Sequence, residues 1–213
     1  FLSCEQILGE YPPPGDGMQE FLDAIAALVR KARYMTERQQ IEYYLYIEAN
    51  TRRRLRFVEA LADFDLAVYG PDDWLRLLPD HLRHCFRGAV PTERDLASVY
   101  RSSTINLNIN ALQGFSFVNI RNFDVPVYGG FLLSEWVLCA ADFFEPDEEM
   151  VFFEGIEDLV RKVGYYLERP DERRERIEQA RRRIQSDHLY GFRMKQMLDL
   201  YYEHRQRTER GAE

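Results

Sequence analysis

Apolar residues recur along the chain with two different periods, and the change of period marks its organisation. Phe21, Leu22, Ile25, Leu28 and Val29 fall at helical spacing and predict an amphipathic helix over about 18–33, after a Pro/Gly-rich turn at 9–18. A second helical stretch starts near Thr36-Glu37 and carries the dense segment Tyr43 to Ile47. Asn50-Thr51 is expected to interrupt it before a third helix from Arg52 to Leu61. From there the runs shorten. Residues 65–69 (DLAVY), 85–90 (CFRGAV), 104–109 (TINLNI), 131–134 (FLLS) and 150–153 (MVFF) read as strands, each bounded by turn residues such as Gly70-Pro71-Asp72 or Gly129-Gly130. Thr92 with Asp95 three positions on has the signature of a helix N-terminus and predicts a helix over about 92–101. Residues 118–128 carry mixed signals, and Pro126 requires any helix there to be kinked or to begin late. The tail is helical in three pieces. Ile156, Leu159, Val160, Val163 and Leu167 form one stripe, and Pro170 breaks it. Ile177, Ala180 and Ile184 form a second, with Glu172/Arg176 and Glu178/Arg182 as expected i,i+4 pairs. Phe192 to Tyr201 continue into a final helix.

Short apolar strands alternating with helices imply βαβ units. The predicted fold class is therefore α/β: a Rossmann-like parallel sheet with helices on both faces, preceded by a helical segment and followed by long C-terminal helices. All five strands are expected in one sheet, with 104–109 away from its edges. Ligands of such sheets bind at the carboxyl ends of the strands. That directs attention to about 70–74, 90–92, 108–116 and 134–136.

The formal net charge of −8 argues against nucleic-acid binding through bulk charge. Cys4, Cys85 and Cys139 are odd in number, widely spaced and free of any CxxC pair, which suits reduced thiols in a cytoplasmic protein rather than a disulfide framework or zinc site. No apolar run approaches the roughly 20 residues of a membrane span, and no leader pattern stands at the start.

Candidate chemistry gathers after the third strand. Asn106, Asn108 and Asn110 alternate, so they share one face while Leu107 and Ile109 take the other. Polar residues at the end of a parallel strand point to a cleft mouth. The four histidines lack metal-ligand spacing to acids or cysteines, so no metal is expected. Trp74 and Trp136 read as packing residues. The run Arg181 to Arg183 reads as a solvated helix face. Walker, GxGxxG and GxSxG patterns are absent, against P-loop NTPases, dehydrogenases and α/β-hydrolases.

Four segments in order carry a resemblance: PTERDLASVYRSSTINLNI, GFSFVNIRNFDVPVYGGFLLSEW, ADFFEPDEEMVFFEGIEDLVRKVGYYLERPDER and DHLYGFRMKQML. Together they resemble the C-terminal domain of group 1 glycosyltransferases of the GT-B type, in the branch related to spore-maturation proteins. The resemblance covers roughly 65–203. It implies a domain that binds a nucleotide-diphosphate sugar across a cleft from a second Rossmann-like domain, lying upstream or on another chain. A carboxylate accepts hydrogen bonds from the ribose hydroxyls, and helix N-termini and basic side chains hold the diphosphate. By resemblance Asp124 stands where the family has its ribose-binding Glu, one methylene longer, and Arg121 where it has an arginine. Asn108 and Asn110 lie at the strand end. Ser116 occupies a position that is often acidic in the wider retaining class.

The expected activity is transfer of a sugar from the nucleotide-diphosphate donor to a glycan or protein acceptor, in the cytoplasm and in service of a cell-envelope glycan, without cofactor or metal. No catalytic residue is assigned. The alternative is a non-catalytic glycosyltransferase-like domain that acts as a binding or scaffold module. Residues 1–50 are expected to be a linker and helical segment, and 51–213 the nucleotide-sugar domain with its C-terminal helices.

Overall fold

The computed structural model describes residues 35–112 and 117–210. The predicted helix at 18–33, Cys4 and the candidate Ser116 lie outside them. The chain divides into two compact units, Phe1–Glu59 and Ala60–Glu213.

The first unit contributes most of α1 (Met35–Ala60), a single helix of 26 residues. The expected interruption at Asn50-Thr51 does not occur. Asn50 Nδ2 donates to Tyr46 O at 3.0 Å and Thr51 Oγ1 to Ile47 O at 2.9 Å. Both polar side chains thus bond to the carbonyl four residues back and leave the helical ladder intact. Tyr43 is exposed on this helix.

In the second unit, strands and helices alternate as the hydrophobic pattern requires. β1 (Val68–Tyr69) leads into α2 (Asp73–Leu77), and a 3₁₀ turn over Asp80–Cys85 leads into β2 (Phe86–Gly88). Then come α3 (Glu93–Ser102), β3 (Asn106–Asn108), α4 (Arg121–Val127), β4 (Leu132–Glu135), α5 (Ala140–Phe143) and β5 (Val151–Phe153). The tail is α6 (Gly155–Leu167), α7 (Pro170–Asp187) and α8 (Tyr190–Arg210). Among the described residues every strand pairing is parallel. The architecture is α/β and Rossmann-like, as the sequence leads one to expect, with strands in the predicted places, four of them shorter and β4 shifted by one residue.

The strands do not form one ladder. β1 and β2 pair by themselves, and β3-β4-β5 form a separate ladder in that order, so β3 lies at an edge. Gly88, at φ 82, leaves the extended region at the end of β2, and Pro91 removes an N–H just beyond it. The first ladder therefore stops short.

All of the central strand β4 is buried, and so is all of β5 at the ladder's other edge, as expected for parallel strands covered on both faces. Leu132 and Phe152 join Val125 of α4, Ala140 of α5 and Ile184 of α7 in the core on one face, with Val137, Phe144 and Met150. On the other face Leu133, Val151 and Phe153 are fully buried, as is Leu159 of α6.

Local signals explain the helix ends. Thr92 caps α3: its Oγ1 accepts from Asp95 N at 3.2 Å and donates to Asp95 Oδ2 at 2.7 Å. α4 begins late, at Arg121, and holds Pro126 next to its last residue, where little ladder remains to lose. It closes with Gly129 N on Pro126 O and Gly130 N on Val125 O, both at 2.9 Å. Gly129 supplies the φ of 87° that this Schellman closure needs. Pro170 does more than end α6, because it opens α7 at a position where its missing N–H is not needed.

The expected Glu172–Arg176 and Glu178–Arg182 pairs do not form. Arg169–Glu172 and Arg181–Glu178 pair at i,i+3 instead, and Arg176 Nη1 donates to Glu148 O at 3.1 Å. An exposed i,i+4 helix pair is of small value, so a carbonyl that the fold brings within reach replaces it at Arg176. Within the arginine run, Arg183 is not simply solvated, since its Nε donates to Phe143 O at 3.1 Å. His188 is structural. Arg193, which can only donate, approaches His188 Nδ1 at 2.9 Å, so the ring proton resides on Nε2 and is donated to Phe143 O at 3.0 Å.

Candidate functional site

The carboxyl ends of β3 and β4 meet in a buried polar network. Asn108 and Ser134 stand opposite each other in the ladder register. Asn108 Nδ2 donates to Ser134 Oγ at 3.0 Å and to Asn122 Oδ1 at 3.3 Å. Asn122, in the first turn of α4, donates from Nδ2 to Ser134 Oγ at 3.0 Å and to Met150 Sδ at 3.2 Å. From the loop before α4, Asn119 Nδ2 reaches both Asn108 Oδ1 at 3.0 Å and Asn110 Oδ1 at 2.8 Å. Asn110 is fastened to the end of β4: its N–H donates to Glu135 Oε2 at 3.0 Å and its Nδ2 to Glu135 O at 3.1 Å. Asn108, Asn122 and Ser134 are at most 1% exposed. Groups this deep must be paired, and the network pairs them.

The predicted residues Asn108 and Asn110 are therefore brought together, but with their amides turned toward protein partners. They shape the loop that carries α4. Sequence reasoning did not name Asn119 or Asn122, and it covered Ser134 and Glu135 only as part of the stretch 134–136. The available signal was the polar pair Ser134-Glu135 closing an otherwise apolar strand.

Asp124 lies in the first turn of α4, on the side facing α3, and is half-buried. Among the described residues its carboxylate has no hydrogen bond or ion pair, and none joins it to Arg121. Burial raises its pKa, and the Glu93 carboxylate at the start of α3 raises it further. Glu93 accepts a hydrogen bond from Tyr128 OH. That bond is the main reason the Tyr128 hydroxyl is held above its ordinary value. Tyr100 sits between these groups. Its burial pushes its pKa up, the Arg121 guanidinium beside it pulls it back, and Asp124 adds to the rise. Arg121 and Asp124 thus share one cluster through Tyr100, and Asp124 is separate from the asparagine network on the sheet side of α4.

The N-terminus of α4 does not offer free donors. Arg121 N donates to Asn119 Oδ1 at 2.9 Å and Asn122 N to Asn119 O at 3.1 Å. Phe123 N and Asp124 N both donate to Ile120 O, at 3.0 and 2.9 Å. The first N–H groups of this helix, beside Asp124, are thus satisfied internally.

An open concavity of about 510 Å³ lies at the other end of α4, lined by Arg101, Tyr128, Gly129, Arg174, Glu178 and Arg181. It is at the amino side of β4, away from the strand carboxyl ends. Among the described residues no three His, Cys, Asp or Glu side chains gather as metal ligands, and no helix is long and apolar enough to cross a membrane.

Over residues 51–199 the chain matches the model of a glycosyl transferase-like family, and it belongs to that family. The match spans the whole strand–helix alternation, from the end of α1 into α8. No curated protein matches the chain.

Proposed function

We propose that the chain supplies the donor-binding domain of a GT-B glycosyltransferase of group 1, in the branch related to spore-maturation proteins. It binds a nucleotide-diphosphate sugar for transfer to a glycan or protein acceptor. The observation that carries this reading is Asp124: an unpartnered carboxylate in the first turn of the helix that follows β3, held in a partly desolvated place. A carboxylate so placed accepts two ribose hydroxyls bidentately, and partial desolvation strengthens such bonds. Arg121, one turn earlier, swings from the Tyr100 hydroxyl toward the leaving diphosphate. The asparagine network keeps the loop and the first turn of α4 in one geometry, so the carboxylate is pre-positioned. Developing charge on the diphosphate is met by basic side chains, with no metal required. A complementary domain, upstream or on another chain, would complete the cleft and hold the acceptor.

Calorimetric titration with uridine and guanosine diphosphates tests this. Binding by the wild type is expected. Asp124→Ala should weaken it by about 1.5–3 kcal/mol, the value of a hydrogen bond to a charged group. Equal affinities would remove Asp124 from the site.

The internally satisfied N-terminus of α4 favours a second reading, a glycosyltransferase-like module that binds without catalysis. Nucleotide binding without donor hydrolysis or transfer, even with a complementary domain supplied, would select it.

A further inference from the structure

Ile120 opens α4 with helical backbone angles, φ −57° and ψ −29°. From this residue onward each position therefore advances by about 100° around the helix axis. Asp124 falls between two residues of the preceding turn, with Ile120 about 40° to one side and Arg121 about 60° to the other. Asn122 points the other way, into the network on the sheet side. Ile120 is 63% exposed, yet it is firmly held. Its carbonyl accepts from Phe123 N at 3.0 Å and from Asp124 N at 2.9 Å. Asn119, just before it, is fastened through Nδ2 to Asn108 and Asn110. A β-branched side chain has little χ1 freedom to lose, so an apolar surface is presented here at small entropic cost.

The two vicinal hydroxyls of a nucleotide form one edge of its ribose. The base leaves from the carbon beside the 2′-hydroxyl, and the phosphate chain departs next to the carbon that bears the 3′-hydroxyl. Base and phosphates thus extend from opposite ends of that edge. We propose that Ile120 is the platform on which the nucleobase rests, with the ribose on Asp124 and the diphosphate toward Arg121. The inference depends on the reading of Asp124 as the ribose acceptor. It uses side chains alone, because the first N–H groups of α4 are satisfied internally. An aliphatic platform covers the face of a base and meets none of the hydrogen-bonding groups on its edge. By itself it therefore takes purine and pyrimidine alike, and the gain is the apolar area removed from water.

Calorimetric titration of the full chain with uridine diphosphate, guanosine diphosphate and the base-free ribose 5-phosphate tests this. Ile120→Ser is expected to weaken both nucleoside diphosphates about three- to tenfold and to leave ribose 5-phosphate unchanged. Serine suits the start of a helix and the position is exposed, so thermal unfolding of this variant should match or exceed that of the wild type. Ile120→Phe offers a larger face and is expected to tighten both nucleoside diphosphates. Asp124→Ala is expected to weaken all three ligands. If Asp124→Ala weakens binding and Ile120→Ser does not, the ribose reading stands and the platform is overturned. Equal losses for ribose 5-phosphate and the nucleotides in Ile120→Ser would put the side chain against the sugar and overturn it as well. A wild type that binds no nucleotide overturns both readings.

Discussion

The Asn108 side chain donates to Ser134 Oγ at 3.0 Å across the β3–β4 register and accepts from Asn119 Nδ2 at 3.0 Å from the loop that follows. One buried amide therefore joins a strand, its neighbour and the approach to α4. Asn108→Ala would leave the Asn119 donor without this acceptor inside the protein. A loss of about 1–3 kcal/mol of stability is expected, read as a lower urea midpoint with an unchanged slope. A change of a few tenths of a kcal/mol would mean that water replaces the amide at little cost.

Gly130 follows the Schellman closure of α4 and leads into β4. A Cβ there would come within 2.6 Å of Tyr100 O and 2.7 Å of Asn106 Nδ2. The first of these is backbone and cannot turn aside. Gly130→Ala should therefore destabilise by about 1–3 kcal/mol, the range for overpacking. Gly164→Ala is the control, because nothing lies near its added methyl and the position is helical. Stabilisation there by about 0.4–1 kcal/mol is expected. Thermal unfolding of the two variants should move in opposite directions.

Thr92→Ala removes the cap of α3 and the reciprocal bond to Asp95. About 1 kcal/mol is expected, with Thr92→Ser close to the wild type. The comparison by chemical denaturation separates the hydroxyl from the methyl. If Thr92→Ser loses as much as Thr92→Ala, packing rather than capping holds the helix start.

Much of the fold is legible in the pattern because its signals are local. The run MVFF needs only apolar β-formers to announce β5, and Thr92 with Asp95 announces α3 through a cap that spans one turn. Asn50 and Thr51 misled for a related reason. Residues typical of turns also bond to the carbonyl four back, and which of the two they do is decided by the helix around them. The division into two ladders depends on where β2 stops in space, which no period encodes. At the site, Asn108 and Asn110 stood out by their alternation. Their partners Asn119, Asn122 and Glu135 are 9 to 25 residues away, so only the fold reveals that the amides face protein rather than a ligand.

Asp124 couples stability to pH in a direction that separates function from packing. Its folded-state pKa is raised, first by burial and then by Glu93, so folding disfavours the ionised form. The penalty is absent below the unfolded carboxyl pKa, grows as pH rises through the raised folded value, and is complete above it. Asp124→Asn keeps the shape and removes the charge. The variant should unfold at a temperature equal to or above that of the wild type at neutral pH. The advantage should vanish in acid, where the wild-type carboxyl is protonated. If Asp124 also binds ribose, the same variant should bind uridine or guanosine diphosphate more weakly while being no less stable, the pattern of a site residue held at some expense to the fold. Thermal unfolding across pH, paired with nucleotide titration at neutral pH, reads both. Loss of stability in Asp124→Asn at neutral pH would show that the carboxylate is a structural partner and not a group kept for a ligand.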